Sequence, residues 1–272
     1  SVACLIFAAS CKDSESSDSE SNMDITPPKA DKIAKNLEMH GDVRLDDYYW
    51  LNDKENSEVI DYLERENDYY DKVTAHTNEL QKNLFEEMKS RIKEDDASVP
   101  YFYNGYYYIT RYETGKDYPI YARKKGSLDA EEEIMFNVNK LAEGHSYYNL
   151  NGINVSPDNK WVAFGVDTVS RRKYTIHIKN LETDEILSEN IPLTTGGSTW
   201  ANDSKTLFYT KKDEQTLRSN QIYRHIKGTD TSDDDLIFTE EDETFGTYVY
   251  KTKSDKFLVI GSYSTLTSEF QI

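Results

Sequence analysis

Three kinds of side chain in this sequence could carry chemistry. They are a run of cations, Arg171-Arg172-Lys173; two cysteines, Cys4 and Cys11; and five histidines, His40, His76, His145, His177 and His225. The cationic run stands out because Asp and Glu number 50 against 32 Lys and Arg, a net charge of −18. Such a run is either a solvated loop or a contact for carboxylates of another domain. The histidines are scattered, and His177 and His225 fall inside strand-like runs. That suits paired core or surface residues better than general bases.

No catalytic constellation accompanies these residues. Gly144-His-Ser-Tyr-Tyr148 and Gly196-Gly-Ser-Thr-Trp200 both lack the second glycine of a Gly-x-Ser-x-Gly nucleophile elbow. The phosphate-loop, dinucleotide, His-Glu-x-x-His and Cys-x-x-Cys patterns do not occur. The acids from Asp230 to Asp235 lack the central glycine and terminal glutamate of a calcium loop. The sequence therefore assigns no catalytic residue, no metal ligand and no cofactor to these 272 residues. The acidic balance also argues against nucleic acid as a partner.

Cys11 has a sharper reading. The run Leu5-Ile-Phe-Ala-Ala-Ser-Cys11 resembles a bacterial lipoprotein signal, in which small residues precede a lipidated cysteine, although Ala8 stands where leucine is preferred. Ordinary cleavage after Ser10 is the alternative. Residues 1–11 are expected to be a truncated signal or lipoprotein segment, because no basic region precedes the apolar run. Residues 12–26, rich in Ser and acids, are expected to be a disordered tether. The chain is thus expected to be exported, either periplasmic or anchored to a membrane through a lipid on Cys11. The strand-like end, Ser268-Glu-Phe-Gln-Ile272, lacks a turn or polar tail and marks the chain as an expected fragment.

The remaining elements divide by period. Residues 27–96 read as an amino-terminal helical arm. One stripe is Val59, Ile60, Leu63, Tyr70 and Val73; a second is Leu80, Leu84, Met88 and Ile92, widened by Phe85. Both are expected to be core stripes, and Asn52 with Glu55 is the expected cap of the first helix. After Pro100 the period becomes two. A polar turn and an apolar strand recur in Tyr103-Asn-Gly-Tyr-Tyr-Tyr-Ile109, Ser156-Pro-Asp-Asn-Lys-Trp-Val-Ala-Phe164, Asn202-Asp-Ser-Lys-Thr-Leu-Phe-Tyr209 and Lys253-Ser-Asp-Lys-Phe-Leu-Val-Ile260. Aligned at Gly105, Lys160, Lys205 and Lys256, the steps are 55, 45 and 51 residues. Repeats of this length built from several strands indicate β-propeller blades. The fold class is therefore mainly β, with residues 97–272 forming the first three to four blades of a propeller.

Several segments in order also resemble a known family. They are His40-Gly-Asp-Val-Arg-Leu-Asp-Asp-Tyr-Tyr-Trp-Leu51, Arg91-Ile-Lys-Glu-Asp-Asp-Ala-Ser-Val-Pro100, Tyr112-Glu-Thr-Gly-Lys-Asp-Tyr-Pro-Ile-Tyr-Ala-Arg123 and Asp167-Thr-Val-Ser-Arg-Arg-Lys-Tyr174. Together they resemble the opening part of the prolyl oligopeptidase family, in its oligopeptidase B branch. The resemblance implies a propeller of nominally seven blades and a carboxy-terminal α/β-hydrolase domain, which is absent from these residues. It also implies a Ser-His-Asp peptidase acting on short peptides after Lys or Arg, with the triad beyond Ile272. Carried onto this sequence, it makes Lys93, Glu94, Asp95 and Asp96 a hinge. It turns Arg171 and Arg172 toward the hydrolase side, as interdomain or substrate-gating residues. The implied partners are short basic peptides and the missing hydrolase domain. A sibling peptidase of different specificity, or a membrane-tethered, non-enzymatic propeller that serves as a binding module, fits the same composition.

Overall fold

A computed structural model describes residues 25–272. Cys4, Cys11, the signal-like run and most of the acidic tether lie outside the described residues. The chain divides into two compact units, one ending at Ile92 and one beginning at Lys93.

The first unit opens with a hairpin of β1 (Lys35–Met39) and β2 (Asp42–Asp46). Its two-residue turn uses His40 and Gly41, both at positive φ, as a tight turn of this hand requires. A helical reading of the whole arm is therefore corrected at residues 35–46. Leu37 and Met39, and Val43 and Leu45, alternate over too short a span to outweigh the surrounding helical periods. Helix α1 (Ser57–Thr74) and helix α2 (Asn78–Ser90) follow, with residues 75–77 as a 3₁₀ turn between them. The cap of α1 is Asn56, whose side chain accepts from the Glu58 N–H at 2.9 Å. Asn52 instead closes a short 3₁₀ turn, which corrects the expected Asn52/Glu55 cap. The stripes of the two helices are also corrected. Val59 is buried, but Leu63, Leu80, Met88 and Ile92 are exposed. An apolar helical stripe is covered only where a second surface is supplied, and the described residues of this unit supply none.

The second unit is built from antiparallel blades, four-stranded in the first three, with β10 shared, and three-stranded in the fourth. The first blade comprises β3 (Tyr101–Tyr103), β4 (Tyr106–Arg111), β5 (Ile120–Lys125) and β6 (Glu132–Asn137). After a one-turn helix α3 (Val138–Leu141) come β7 (Asn149–Val155), β8 (Trp161–Asp167), β9 (Tyr174–Asn180) and β10 (Ile191–Trp200). The third blade adds β11 (Thr206–Lys212), β12 (Ser219–Ile226) and β13 (Asp235–Thr239). The fourth contributes β14 (Gly246–Lys251), β15 (Leu258–Tyr263) and β16 (Ser268–Gln271).

Blades two and three share β10. It pairs with β9 at Ile191 and Thr194, and with β11 at Thr194 and again from Ser198 to Trp200. Thr194 thus pairs with both neighbours, and the register with β11 shifts between Thr194 and Ser198. Gly196 takes φ +87° there, and the Thr194 hydroxyl accepts from the Gly196 N–H at 3.1 Å. At this crossing a Cβ on Gly165 of β8 would lie 2.4 Å from the Gly196 Cα, and one on Gly152 of β7 would lie 2.1 Å from the Gly196 oxygen. Backbone presses on backbone, so no side-chain rotation relieves the clash.

The core lies in the seams between blades. Tyr106, Tyr108, Met135 and Phe136 of the first blade face Leu150, Val162 and Phe164 of the second. The Phe136 and Phe164 rings meet at 4.6 Å between centroids. Ile176 and Ile178 of the second blade meet Trp200, Leu207 and Tyr209 in the next seam. Each such side chain contributes about 1.5–3 kcal/mol on burial.

The repeated turns lace the blades together. Asn104 donates to the Pro157 carbonyl at 2.8 Å, and Asn159 donates back to the Asn104 carbonyl at 3.1 Å. Further round, the Asp158 N–H donates to the Ser204 hydroxyl, and Asn202 donates to the Asp255 carbonyl at 2.7 Å. The turn legible as a sequence repeat is thus also the hydrogen-bonded hoop joining consecutive blades.

Gly165→Ala is expected to lower unfolding stability by about 1–3 kcal/mol or more, through overpacking against fixed backbone. Gly197→Ala, where an added Cβ meets nothing within 4 Å, is expected to change it little. Urea unfolding of both variants, followed by circular dichroism, checks the contrast; equal midpoints would contradict it.

Candidate functional site

The cationic run occupies the β8–β9 connection. Buried Asp167, at the end of β8, accepts from the Val169 N–H at 2.8 Å and from the Arg172 N–H at 2.7 Å. A carboxylate taking two backbone donors gathers the loop into a tight arch. Ser170 and Arg172 both take positive φ within it. Lys212, from the adjoining blade, donates to the Arg172 carbonyl at 2.7 Å. Burial, and then the positive charge of Arg172, push the Lys212 ammonium below its ordinary range. Arg171, Arg172 and Lys173 stay exposed at the tip. The fold thus adds Lys212 to the cations seen in sequence, and the arrangement suits carboxylates presented from outside the propeller.

Lys93, Glu94, Asp95 and Asp96 open the second unit without forming helix or strand. Two of them are tied to the first blade. Glu94 accepts from the Gly115 N–H at 2.9 Å, and the Asp96 carbonyl accepts from the Tyr112 N–H at 2.8 Å. Lys93 lies 3.7 Å from the Asp96 carboxylate.

Of the histidines, His225 on β12 has the most developed surroundings. It is fully buried, with Nδ1 2.6 Å from Asp234 Oδ1 and Nε2 4.0 Å from Glu189 Oε1. An ionised carboxylate only accepts, so Nδ1 carries a proton. The Tyr209 hydroxyl donates to the other Asp234 oxygen at 2.8 Å. Burial, and then that bond, push the Tyr209 phenol above its ordinary range. Glu189 also accepts from the Gly228 N–H at 2.9 Å. The cluster resembles part of a catalytic triad in composition only. Among the described residues no hydroxyl hydrogen-bonds Nε2, and complete burial denies it a substrate. It ties the segment before β10 to the β12–β13 turn. His177 is half-buried against Phe164, and burial lowers its pKa. Sequence reasoning left His225 as a paired core or surface residue and missed Asp234, Glu189 and Tyr209. Only strand pairing across separate turns brings those four together, so no local spacing could have signalled them. Among the described residues no group of three or more His, Cys, Asp or Glu is placed to hold a metal ion.

With this geometry established, comparison with known proteins is informative. Residues 27–271 match the family model described as prolyl oligopeptidase, N-terminal beta-propeller domain. The chain is 40% identical over 264 residues to a dipeptidyl aminopeptidase BI of Pseudoxanthomonas mexicana, covering 90% of this chain and 36% of that protein. It is 38% identical over 252 residues to a protease 2 of Moraxella lacunata, with the same two shares. Among solved structures, oligopeptidase B from Leishmania major superposes with a TM-score of 0.83 at 32% identity, over 90% of this chain and 37% of that one. The chain thus spans about a third of the length of the curated relatives it matches.

Asp234→Ala is expected to cost about 3 kcal/mol, since it leaves the buried His225 and Tyr209 groups unpaired. Asp235→Ala breaks only an exposed pair with Arg224 and is expected to cost less than about 1 kcal/mol. Chemical unfolding of the two adjacent variants measures the difference.

Proposed function

The chain belongs to the prolyl oligopeptidase family, as an amino-terminal unit with helices followed by propeller blades, and from that premise we propose that it is the substrate-gating front of a serine oligopeptidase cutting short peptides after Lys or Arg. The observation that carries this is the extent of the match, 27–271, together with two solved oligopeptidase B structures superposing at TM-scores of 0.83 and 0.81. The Ser, His and Asp of acyl transfer are placed in an α/β-hydrolase domain following Ile272, where serine attacks the scissile carbonyl and histidine moves the proton. None of the groups found in these blades can form an acyl-enzyme, so residues 1–272 alone are expected to be inactive.

Within that reading each part of the chain has a role. The hydrolase domain covers the exposed α2 stripe of Leu80, Leu84 and Met88, with Ile92 just beyond the helix end. Arg171 and Arg172 pair with its carboxylates and bias an open–closed equilibrium. Lys93–Asp96 is the hinge: Glu94 and Asp96 hold its propeller end while the helical end turns. The acidic surface draws basic peptides. The protein is exported and held at a membrane by a lipid on Cys11; a palmitate label retained in Cys11→Ala would argue against that. A second reading, removal of dipeptides from free amino termini, is favoured by the 40% identity to a protein named dipeptidyl aminopeptidase BI.

The full-length gene product should be labelled by a fluorophosphonate probe and should hydrolyse an amino-blocked Arg-amide peptide. Cleavage confined to unblocked peptides favours the dipeptidyl reading. Absence of both labelling and cleavage leaves a membrane-tethered propeller acting as a binding module. Arg171→Ala with Arg172→Ala is expected to lower kcat/KM for basic peptides roughly tenfold while the melting temperature holds, the size of effect that loss of one or two charge-assisted pairs produces. Unchanged kcat/KM in that double variant contradicts the gating role.

A further inference from the structure

Two neighbouring cavities open along the innermost strands of the blades. The first, about 330 Å³, is lined by Tyr101, Tyr103, Tyr108, Tyr121, Met135 and Ile153, among others. No charged side chain lines it, in a protein with 82 Asp, Glu, Lys and Arg residues in all. The second, about 350 Å³, shares Tyr103, Asn154 and Val155 with the first and adds Trp200, Tyr250 and the charged Lys251, Lys253 and Asp255. The shared residues make the two cavities neighbours.

Its aromatic content is organised. Tyr101 and Tyr108 stack at 5.2 Å between centroids with 18° between planes. A further ring extends such a stack at the usual spacing of about 4.5–7 Å. The Tyr108 hydroxyl is buried and its proton finds no acceptor, although the Arg123 guanidinium stands close enough to donate toward its oxygen. Arg123, close by, commits Nε to Glu133 at 2.8 Å and Nη1 to the Asn159 carbonyl at 2.9 Å. A guanidinium only donates, so it cannot take the phenol proton in any case. Burial raises the Tyr101, Tyr108 and Tyr121 phenols above their ordinary range, which keeps them neutral donors. A buried donor without an acceptor costs about 1–3 kcal/mol, a cost that an incoming acceptor relieves.

We propose that the first cavity binds an uncharged aromatic side chain of an extended peptide that offers an acceptor to Tyr108, its main chain passing Tyr103, Asn154 and Val155 into the second cavity. This rests on the peptide-handling reading above. It places a binding site in the propeller itself, with a preference for neutral rings, separate from the basic residue expected at the cleavage site.

Full-length protein labelled with ¹³C-methyl methionine provides the test, with the Met135 signal assigned through Met135→Leu. N-acetyl-tyrosinamide is expected to shift that signal saturably, whereas N-acetyl-argininamide and N-acetyl-alaninamide leave it in place. Tyr108→Phe, which keeps the ring and its stacking on Tyr101, is expected to weaken binding roughly tenfold. Ile153→Trp, filling the cavity, is expected to abolish the shift. A missing shift, an equal response to the arginine amide, or unchanged affinity in Tyr108→Phe overturns the proposal. Peptide hydrolysis by the same sample separates the two ideas. Hydrolysis without a tyrosinamide shift removes only this site, and a shift without hydrolysis keeps the site while removing the peptidase reading.

Discussion

A propeller blade has two faces, and a face stays dry only while another blade covers it. That requirement organises everything after Lys93. The strands are too short and too few per sheet to hold together alone, so the apolar side chains are concentrated where blade meets blade. Phe136 against Phe164, and Ile176 and Ile178 against Trp200 and Leu207, are the places where burial offsets the entropy of ordering the chain. The shared strand β10 carries the requirement into the backbone itself. By pairing with β9 and β11 along one strand, it fixes the spacing of two blades. Gly152 and Gly165 are small because main chains touch there, and Gly196 because it takes positive φ against the Tyr174 ring.

Charge inside the seams is tolerated because it is matched. Arg123 is buried, yet it is paired with Glu133 and lies 4.1 Å from the centre of the Tyr106 ring. Lys179 donates to the Met135 carbonyl at 2.9 Å and lies over the Phe136 ring. Arg218 reaches across to the carbonyls of Phe245 and Glu240, fastening the segment that leads into the fourth blade. The His225 cluster belongs with these. Each of these groups ties separate segments together while keeping a buried charge or dipole compensated.

The same rigidity makes the propeller a platform. The Asp167 arch holds three cations outward at a loop tip, and the first of the two cavities is lined by tyrosines with no charged side chain. Among the described residues neither place sets a nucleophile beside a base. In the first unit, Leu80, Leu84 and Met88 of α2 are exposed among the described residues.

Much of this was legible in residue order. The turn-then-strand repeat aligned at Gly105, Lys160, Lys205 and Lys256 marks the step into β4, β8, β11 and β15, because such turns need residues that tolerate positive φ or hydrogen-bond their own backbone. The two helices follow from their 3.6-residue stripes, and the family from long segments in order. The hairpin at residues 35–46 and the Asn56 cap were missed, since two-residue turns and caps depend on one or two side chains set among stronger periodic signals. The pairing of His225 with Asp234 and Glu189, the convergence of Gly152 and Gly165 on Gly196, the addition of Lys212 to the cationic loop and the tyrosine-lined cavity were decided by tertiary structure alone. Those groups stand on different strands, and antiparallel pairing and blade packing set their distances, which local sequence does not encode.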